Sequence, residues 1–326
     1  MQKTNRLALA VLALLGSTAA FAQSSVTLYG RVNTTVERQE LGNVKTTGLF
    51  DNNSRFGFKG TEDLGGGLKA GFQLESGFSS DTGASDARGF FARQSEVNLS
   101  GGFGAVRLGN FIAESYYATA DYVSMHNHDT GSSSDALYAG VMRDVNKIGY
   151  RTPTFGGLTI DAAVSLHEAP AGTSGKNAFD LAANYNLGAL ALGAGYSKQG
   201  DVNQFAARAL YTFGAFTVGG YVQRDENGHS WASGKRNSFR LAGAYNLGAS
   251  EFHVNVGRAG EYKNTPDSDA TQYTLGYNYN LSKRTKVYGY YTRVSNSSGA
   301  RYTLNNAATP SGSDFSSVAV GVRHNF

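Results

Sequence analysis

The sequence predicts an all-β fold, a 16-stranded antiparallel transmembrane β-barrel, on three observations. Apolar and polar residues alternate in short bursts along nearly the whole chain, which is the period-two signal of half-buried strands. The connections between bursts alternate between short turns and longer polar loops. Glycine stands at 42 and Tyr and Phe at 19 each, against 4 Pro, with no cysteine. That composition suits strands joined by tight turns. The lack of cysteine excludes a disulfide framework, a thiolate metal site and a cysteine nucleophile.

Taken in order, the first 22 residues carry the features of an export signal. Lys3 and Arg6 form a basic region, Leu7 to Leu15 an apolar one, and Ala20-Phe21-Ala22 a small-x-small cleavage site. The apolar run is shorter than the roughly 20 residues a spanning helix needs. The working chain is expected at 23–326. Losing Lys3 and Arg6 lowers the formal net charge from +4 to +2, because 29 Lys and Arg become 27 against 25 Asp and Glu. Basic residues are interleaved with acidic ones, so a nucleic-acid-tracking patch is excluded.

The strands then follow with consistent faces. Val26, Leu28, Val32 and Val36 share one face and Tyr29, Arg31, Asn33 and Glu37 the other. Leu68, Ala70, Phe72 and Leu74 oppose Lys69, Gln73 and Glu75; Phe179, Leu181, Ala183, Tyr185 and Leu187 oppose Asn184 and Asn186. Phe239, Leu241, Tyr245 and Leu247 oppose Arg240 and Asn246, and Tyr273 to Leu281 repeats the pattern against Thr274, Asn278 and Asn280. Short turns are expected at 63–67, 101–104, 153–157, 187–189, 213–215, 247–250 and 281–284, and longer loops near 39–52, 79–88, 110–143, 168–177, 200–203, 225–236, 261–269 and 295–314. A weak repeat, LAANYNLGA, LAGAYNLGA and LGYNYNLSK, places an aromatic just before a turn. Hairpins resemble one another, yet aromatics at one height also describe a membrane girdle.

A soluble sandwich would bury each apolar face against a second sheet. A transmembrane barrel would turn it to lipid and its polar face to water, leaving no edge unpaired. Even strand number, alternating connections, an export signal and the absence of a spanning helix favour the barrel, at a size that leaves an aqueous channel.

Chemistry-bearing motifs are sparse. His126 and His128 beside Asp129 have no third ligand, no G-x-S-x-G elbow occurs, and GGG at 65–67 lacks the Lys-Ser/Thr of a phosphate cradle. Enzyme activity, cofactors and metals are therefore not expected. The informative residues are basic: Arg31, Arg55, Lys59, Arg208 and Arg240 fall on polar faces, whereas Arg93 shares parity with the outward Val97 and Leu99.

SSVTLYGRV at 24–32, SRFGFKGTEDLGGGLKAGFQLESGF at 54–78, FFARQSEVNLSGGFGAVRLGNF at 90–111 and VGVRHNF at 320–326 resemble the Gram-negative general porins, especially their beta-proteobacterial branch. The resemblance implies a homotrimer of barrels in the outer membrane, among lipid and lipopolysaccharide, with periplasmic termini. The third long loop, 110–143, would fold into the lumen and narrow it. Arg31, Arg55, Arg93 and Arg143 match wall cations facing the constriction, and the resemblance overrides parity at Arg93, since early strands pack against neighbouring subunits. Phe326 matches the terminal aromatic read by the assembly machinery. The loop lacks the Pro-Glu-Phe-Gly-Gly of enterobacterial relatives, so its acids are sought among Glu114, Asp121, Asp129 and Asp135, with Asp121 the first choice.

The function so implied is passive diffusion of small hydrophilic solutes and ions, with anions favoured if wall arginines outnumber loop acids. Two alternatives stay open. Tyr116, Tyr117 and Tyr122 could form the sliding track of a substrate-specific channel or simply anchor the loop, and long outer loops could serve a surface adhesin.

Overall fold

Alternation over runs of five to seventeen residues is satisfied by strands that turn alternate side chains to opposite faces. The computed structural model describes residues 25–121, 123, 131–141, 144–170, 172–303 and 309–326; the expected export signal lies outside the described residues. The first strands are β1 (Ser25–Leu41), β2 (Val44–Asp51), β3 (Arg55–Gly65), β4 (Leu68–Gly77), β5 (Gln94–Gly101), β6 (Gly104–Asn110), β7 (Lys147–Arg151) and β8 (Leu158–Ser165). They continue as β9 (Ala178–Leu187), β10 (Leu190–Gln199), β11 (Val202–Phe213), β12 (Phe216–Glu226), β13 (Lys235–Leu247), β14 (Ser250–Ala259), β15 (Ala270–Asn280), β16 (Thr285–Asn296) and β17 (Phe315–Asn325).

Each pairs antiparallel with its neighbour, and β1 pairs with β17 from Arg31↔Asn325 to Leu41↔Phe315, so the sheet closes on itself. The same strand pairs on its other side with β2 through Thr34–Leu41 and with β3 through Ser25–Arg31. β2 and β3 are therefore the two halves of one stave, broken at 52–54, and the barrel has sixteen staves. Among the described residues no helix is long and apolar enough to cross a membrane.

The faces follow the expected parity. Val26, Leu28, Val32 and Val36 are exposed on the outside, while Asn33, Thr35 and Glu37 are buried on the inside. An outward apolar and inward polar wall reverses the arrangement of a soluble protein and is stable only where the outside is lipid. Near the turns at one end, Phe213, Phe216, Tyr245 and Phe252 stack in a continuous series, with centroids 4.6 to 6.3 Å apart. This is the girdle that the repeated aromatics foreshadowed.

Barrel closure is finished by the C-terminal residue. Phe326 exchanges backbone hydrogen bonds with Gly30 at 3.0 and 3.1 Å, and its ring lies where a Cβ on Gly30 would be, 2.3 Å from Cζ. Only glycine at position 30 admits that ring.

Two connections differ from expectation. The loop expected at 200–203 is a two-residue turn, Gly200-Asp201 between β10 and β11, with Gly200 at φ +58°. The loop expected at 39–52 is a two-residue turn, because β1 runs to Leu41 and β2 resumes at Val44. Gly42, at φ +56°, makes the tight reversal, and polar Lys45, Thr46 and Thr47 belong to strand and not to loop.

Candidate functional site

The long segment after β6 enters the barrel. Its start is pinned at Phe111, whose ring lies 4.1 Å from the Arg107 guanidinium and 5.1 Å from the Lys147 amine. Lys147 also donates to the Phe111 carbonyl at 2.7 Å. One α-turn at Glu114–Tyr116 and a π-turn at Tyr117–Asp121 then press against the wall at β9 to β11. The Ser115 amide and hydroxyl both donate to Asp180 of β9. Alternate glycines on the inner face of β10 allow this contact: a Cβ on Gly193 would fall 1.9 Å from the Ala118 carbonyl, and one on Gly195 2.6 Å from that of Ser115.

A short 3-10 turn, Gly131–Ser133, marks the far reach of the loop, where Ser132 bonds Glu37 of β1 at 2.6 Å and Tyr290 of β16 at 2.7 Å. Gly131 sits at φ +51° against Asn52. The chain returns past β15, β13, β12 and β10. Gln272 bonds Ala136 and Ser134, Arg240 bonds Asp135, Gln223 bonds Ala139, and Ser197 bonds Val141. Because these partners all project inward, the loop lies inside the barrel, as expected.

In the circular strand order β3 to β7 stand across from β11 to β15. From that uncovered wall project the cations. Arg31 and Arg55 are directly opposite one another on β1 and β3. Arg31 donates to Asn325 at 3.0 Å. Arg93 donates to Glu75 at 2.7 Å, with Arg55 3.8 Å from the same oxygen. Arg93 thus faces inward despite its parity. The physical reason is that it precedes β5, so strand alternation does not govern it. Lys59 shares the inner face of β3 and lies over the Tyr29 ring at 5.3 Å.

A second set was missed in the sequence. Glu96 pairs with Arg107 at 2.6 Å, Arg107 with Glu114, Glu114 with Arg151 at 3.0 Å, and Arg151 with Asp161 at 2.5 Å. The chain of charges spans β5 to β8 and takes in the loop. Arg151 is its most open member, with 43% of its side chain exposed to water. The period-two rule applied to AVRLGN and KIGYR places both arginines inward and would have found them.

The proposed loop acids separate. Glu114 lies in that charge network. Asp121 ends the π-turn, half-buried near β10 and β11. Asp135 does not face the passage: it accepts from Arg240 at 2.7 Å and Tyr221 at 2.5 Å, and is an anchor of the returning limb. Burial would raise its carboxyl, but Arg240 and Tyr221 outweigh that and hold it below the usual carboxylate range. At the loop base Asp144 is shifted the other way, upward, by burial that its partner Lys147 only partly offsets. Asp129 and Arg143 lie outside the described residues, as do His126, His128 and Tyr122. Tyr116 packs against Tyr117 and Tyr138, and Tyr138 against Tyr221, at 5.6 to 6.0 Å. These contacts bind the loop's rings to the wall.

Known proteins share this architecture. The chain matches the Gram-negative porin family model over residues 8–300. Outer membrane porin protein 32 of Delftia acidovorans is 35% identical over 376 residues, covering 99% of this chain and all of that one. The solved anion-selective porin from Comamonas acidovorans superposes with TM-score 0.78 at 30% identity, covering 93% of this chain and 100% of the other. In-vitro folded OmpT of Vibrio cholerae shares the fold alone, with TM-score 0.67 at 16% identity over 93% and 98%. A closed barrel with a polar interior, a loop folded within it and these matches lead to one assignment: the chain belongs to the Gram-negative porin family of outer-membrane channels.

Proposed function

We propose that this porin passes small hydrophilic solutes passively and favours anions, working as a homotrimer after removal of residues 1–22. The carrying observation is the cluster of cations on the wall across from the buried limb of the loop: Arg31, Arg55, Lys59, Arg93, Arg107 and Arg151 line it, with Glu75, Glu96, Glu114 and Asp161 set between them. Arg143 is included as a further wall cation. A Debye length of about 8 Å at physiological salt leaves charges across a narrow lumen poorly screened. Permeant anions are therefore attracted while cations meet a barrier. The name of the Comamonas relative, an anion-selective porin, supports the same reading.

Planar-bilayer recording of unheated protein under a salt gradient tests the proposal. Expected are conductance steps closing in threes and a reversal potential favouring anions, moving toward cations in R31S/R55S/R93S. An unchanged reversal potential in that variant would remove these arginines from the mechanism. N-terminal sequencing is expected to begin at Gln23.

A further inference from the structure

A cavity separate from the cationic wall opens at the loop-bearing end of the barrel. It measures about 610 Å³ and reaches from Arg88, on the β4–β5 connection, to Val202 at the start of β11. Between them lie Asn110 at the end of β6, Val141 on the returning limb of the loop, and Asp144 and Val145 just before β7. Elements so far apart around the ring share a cavity only across its interior, so this one lies in the mouth.

Three polar groups on its lining lack a partner among the described residues. Arg88 commits Nε and Nη2 to Asp86, at 3.1 and 2.7 Å, and its Nη1 donors have no acceptor. Asn110 donates its amide to the Ala92 carbonyl at 2.9 Å, while its Oδ1 is buried without a donor. The Asp144 Oδ1 is also buried without a hydrogen bond, the Lys147 amine standing 3.5 Å away. Buried acceptors are nearly always satisfied, so this lining calls for N–H donors at Asn110 and Asp144 and for an acceptor at Arg88. Arg88 and Asp144 are near enough for each charge to act on the other, yet they do not pair. Burial disfavours the bare Asp144 carboxylate and Lys147 offsets this only in part; an incoming ammonium would add to that compensation.

We propose that this cavity captures a free aliphatic α-amino acid at the mouth of the channel. Its ammonium would donate to Asn110 and Asp144, its carboxylate would accept from Arg88, and its side chain would lie against Val141, Val145 and Val202. A plain carboxylate would leave both buried acceptors unmatched and would meet the charge of Asp144. A plain amine would leave Arg88 unmatched. The site extends the channel reading by naming one class of solute, yet it stands apart from the cationic wall, so capture and ion selectivity can fail separately.

Ligand-detected saturation-transfer NMR on folded, detergent-extracted protein titrated with L-leucine provides the test. The matched controls are isocaproate, which is leucine without the ammonium, and isoamylamine, which is leucine without the carboxylate. Leucine is expected to bind saturably and each control about tenfold more weakly, since each lacks one set of charge-assisted hydrogen bonds. Arg88→Gln is expected to bring leucine down to the affinity of the amine and to leave the amine's own affinity unchanged, with β-content by circular dichroism checking the fold. Isocaproate held by the wild type as tightly as leucine would overturn the site, because the cationic wall alone would then account for binding. So would leucine binding that does not saturate, or leucine affinity unchanged in R88Q. The comparison of the three ligands on the wild type needs no variant and decides the matter even where R88Q fails to fold.

Discussion

Single side chains decide how much of the wall charge a passing ion meets. Glu75 occupies two arginines at once, Arg93 at 2.7 Å and Arg55 at 3.8 Å. Glu75→Gln should release both, and the anion-to-cation permeability ratio should rise about twofold, equivalent to about 0.4 kcal/mol; a fall in that ratio from reversal potentials would contradict the role given to the pair. Asp135 tests the anchor. Its partner Arg240 is almost wholly buried, and stranding a buried charge costs about 3–5 kcal/mol. Asp135→Asn should therefore lower the unfolding temperature and increase current noise as the returning limb detaches. Since the folded carboxyl titrates below its unfolded value near 4, its contribution is complete above that value. It is lost only as pH falls through the lower folded one, so wild-type loop anchoring should persist from pH 7 down to about pH 4, checked by noise analysis across that range.

At the scale of elements, the decisive pair is strand β10 and the inward loop. The LGAG of β10 removes side chains from two successive inner positions, and the loop backbone fills the space. Gly195→Val should push the Glu114–Tyr116 turn off the wall without breaking a strand hydrogen bond, altering the conductance step while leaving barrel β-content unchanged by circular dichroism. The strands themselves were legible in sequence, because side-chain period and turn chemistry are local. Which loop acids work in the lumen was not. Asp135 and Glu114 look alike along the chain, and only the wall residues that meet them, Arg240 in one case and Arg107 with Arg151 in the other, separate an anchor from a member of the passage.

Across the whole molecule, closure assembles charge from the two ends of the chain. Arg323 of β17 lies opposite Lys286 of β16 on one side and Asn33 of β1 on the other, two residues from the Arg31↔Arg55 pair. Like charges on neighbouring strands repel. Lys286 is held beside Glu251 at 3.5 Å, and with Arg323 it continues the inner charge of the wall from the C-terminal strands. Lys286→Gln with Arg323→Gln should reduce anion preference at low salt and matter little at 1 M, where the Debye length is about 3 Å; a salt-independent effect in reversal potentials would point to lost packing instead. Alternation and turn residues by themselves determined the barrel, its stave number and the inward faces of Arg31, Arg55 and Lys59, while the entry of the loop at 110–143 was implied by the family resemblance of the motifs. The tertiary structure alone decided that Glu75 is shared, that Arg107 and Arg151 frame Glu114, that Tyr116 anchors, and that residues some 290 positions apart, Arg31 and Asn325, are neighbours. The reason is that period and turn chemistry act within a strand and its hairpin, whereas ion pairing across a lumen depends on how sixteen staves close into a ring.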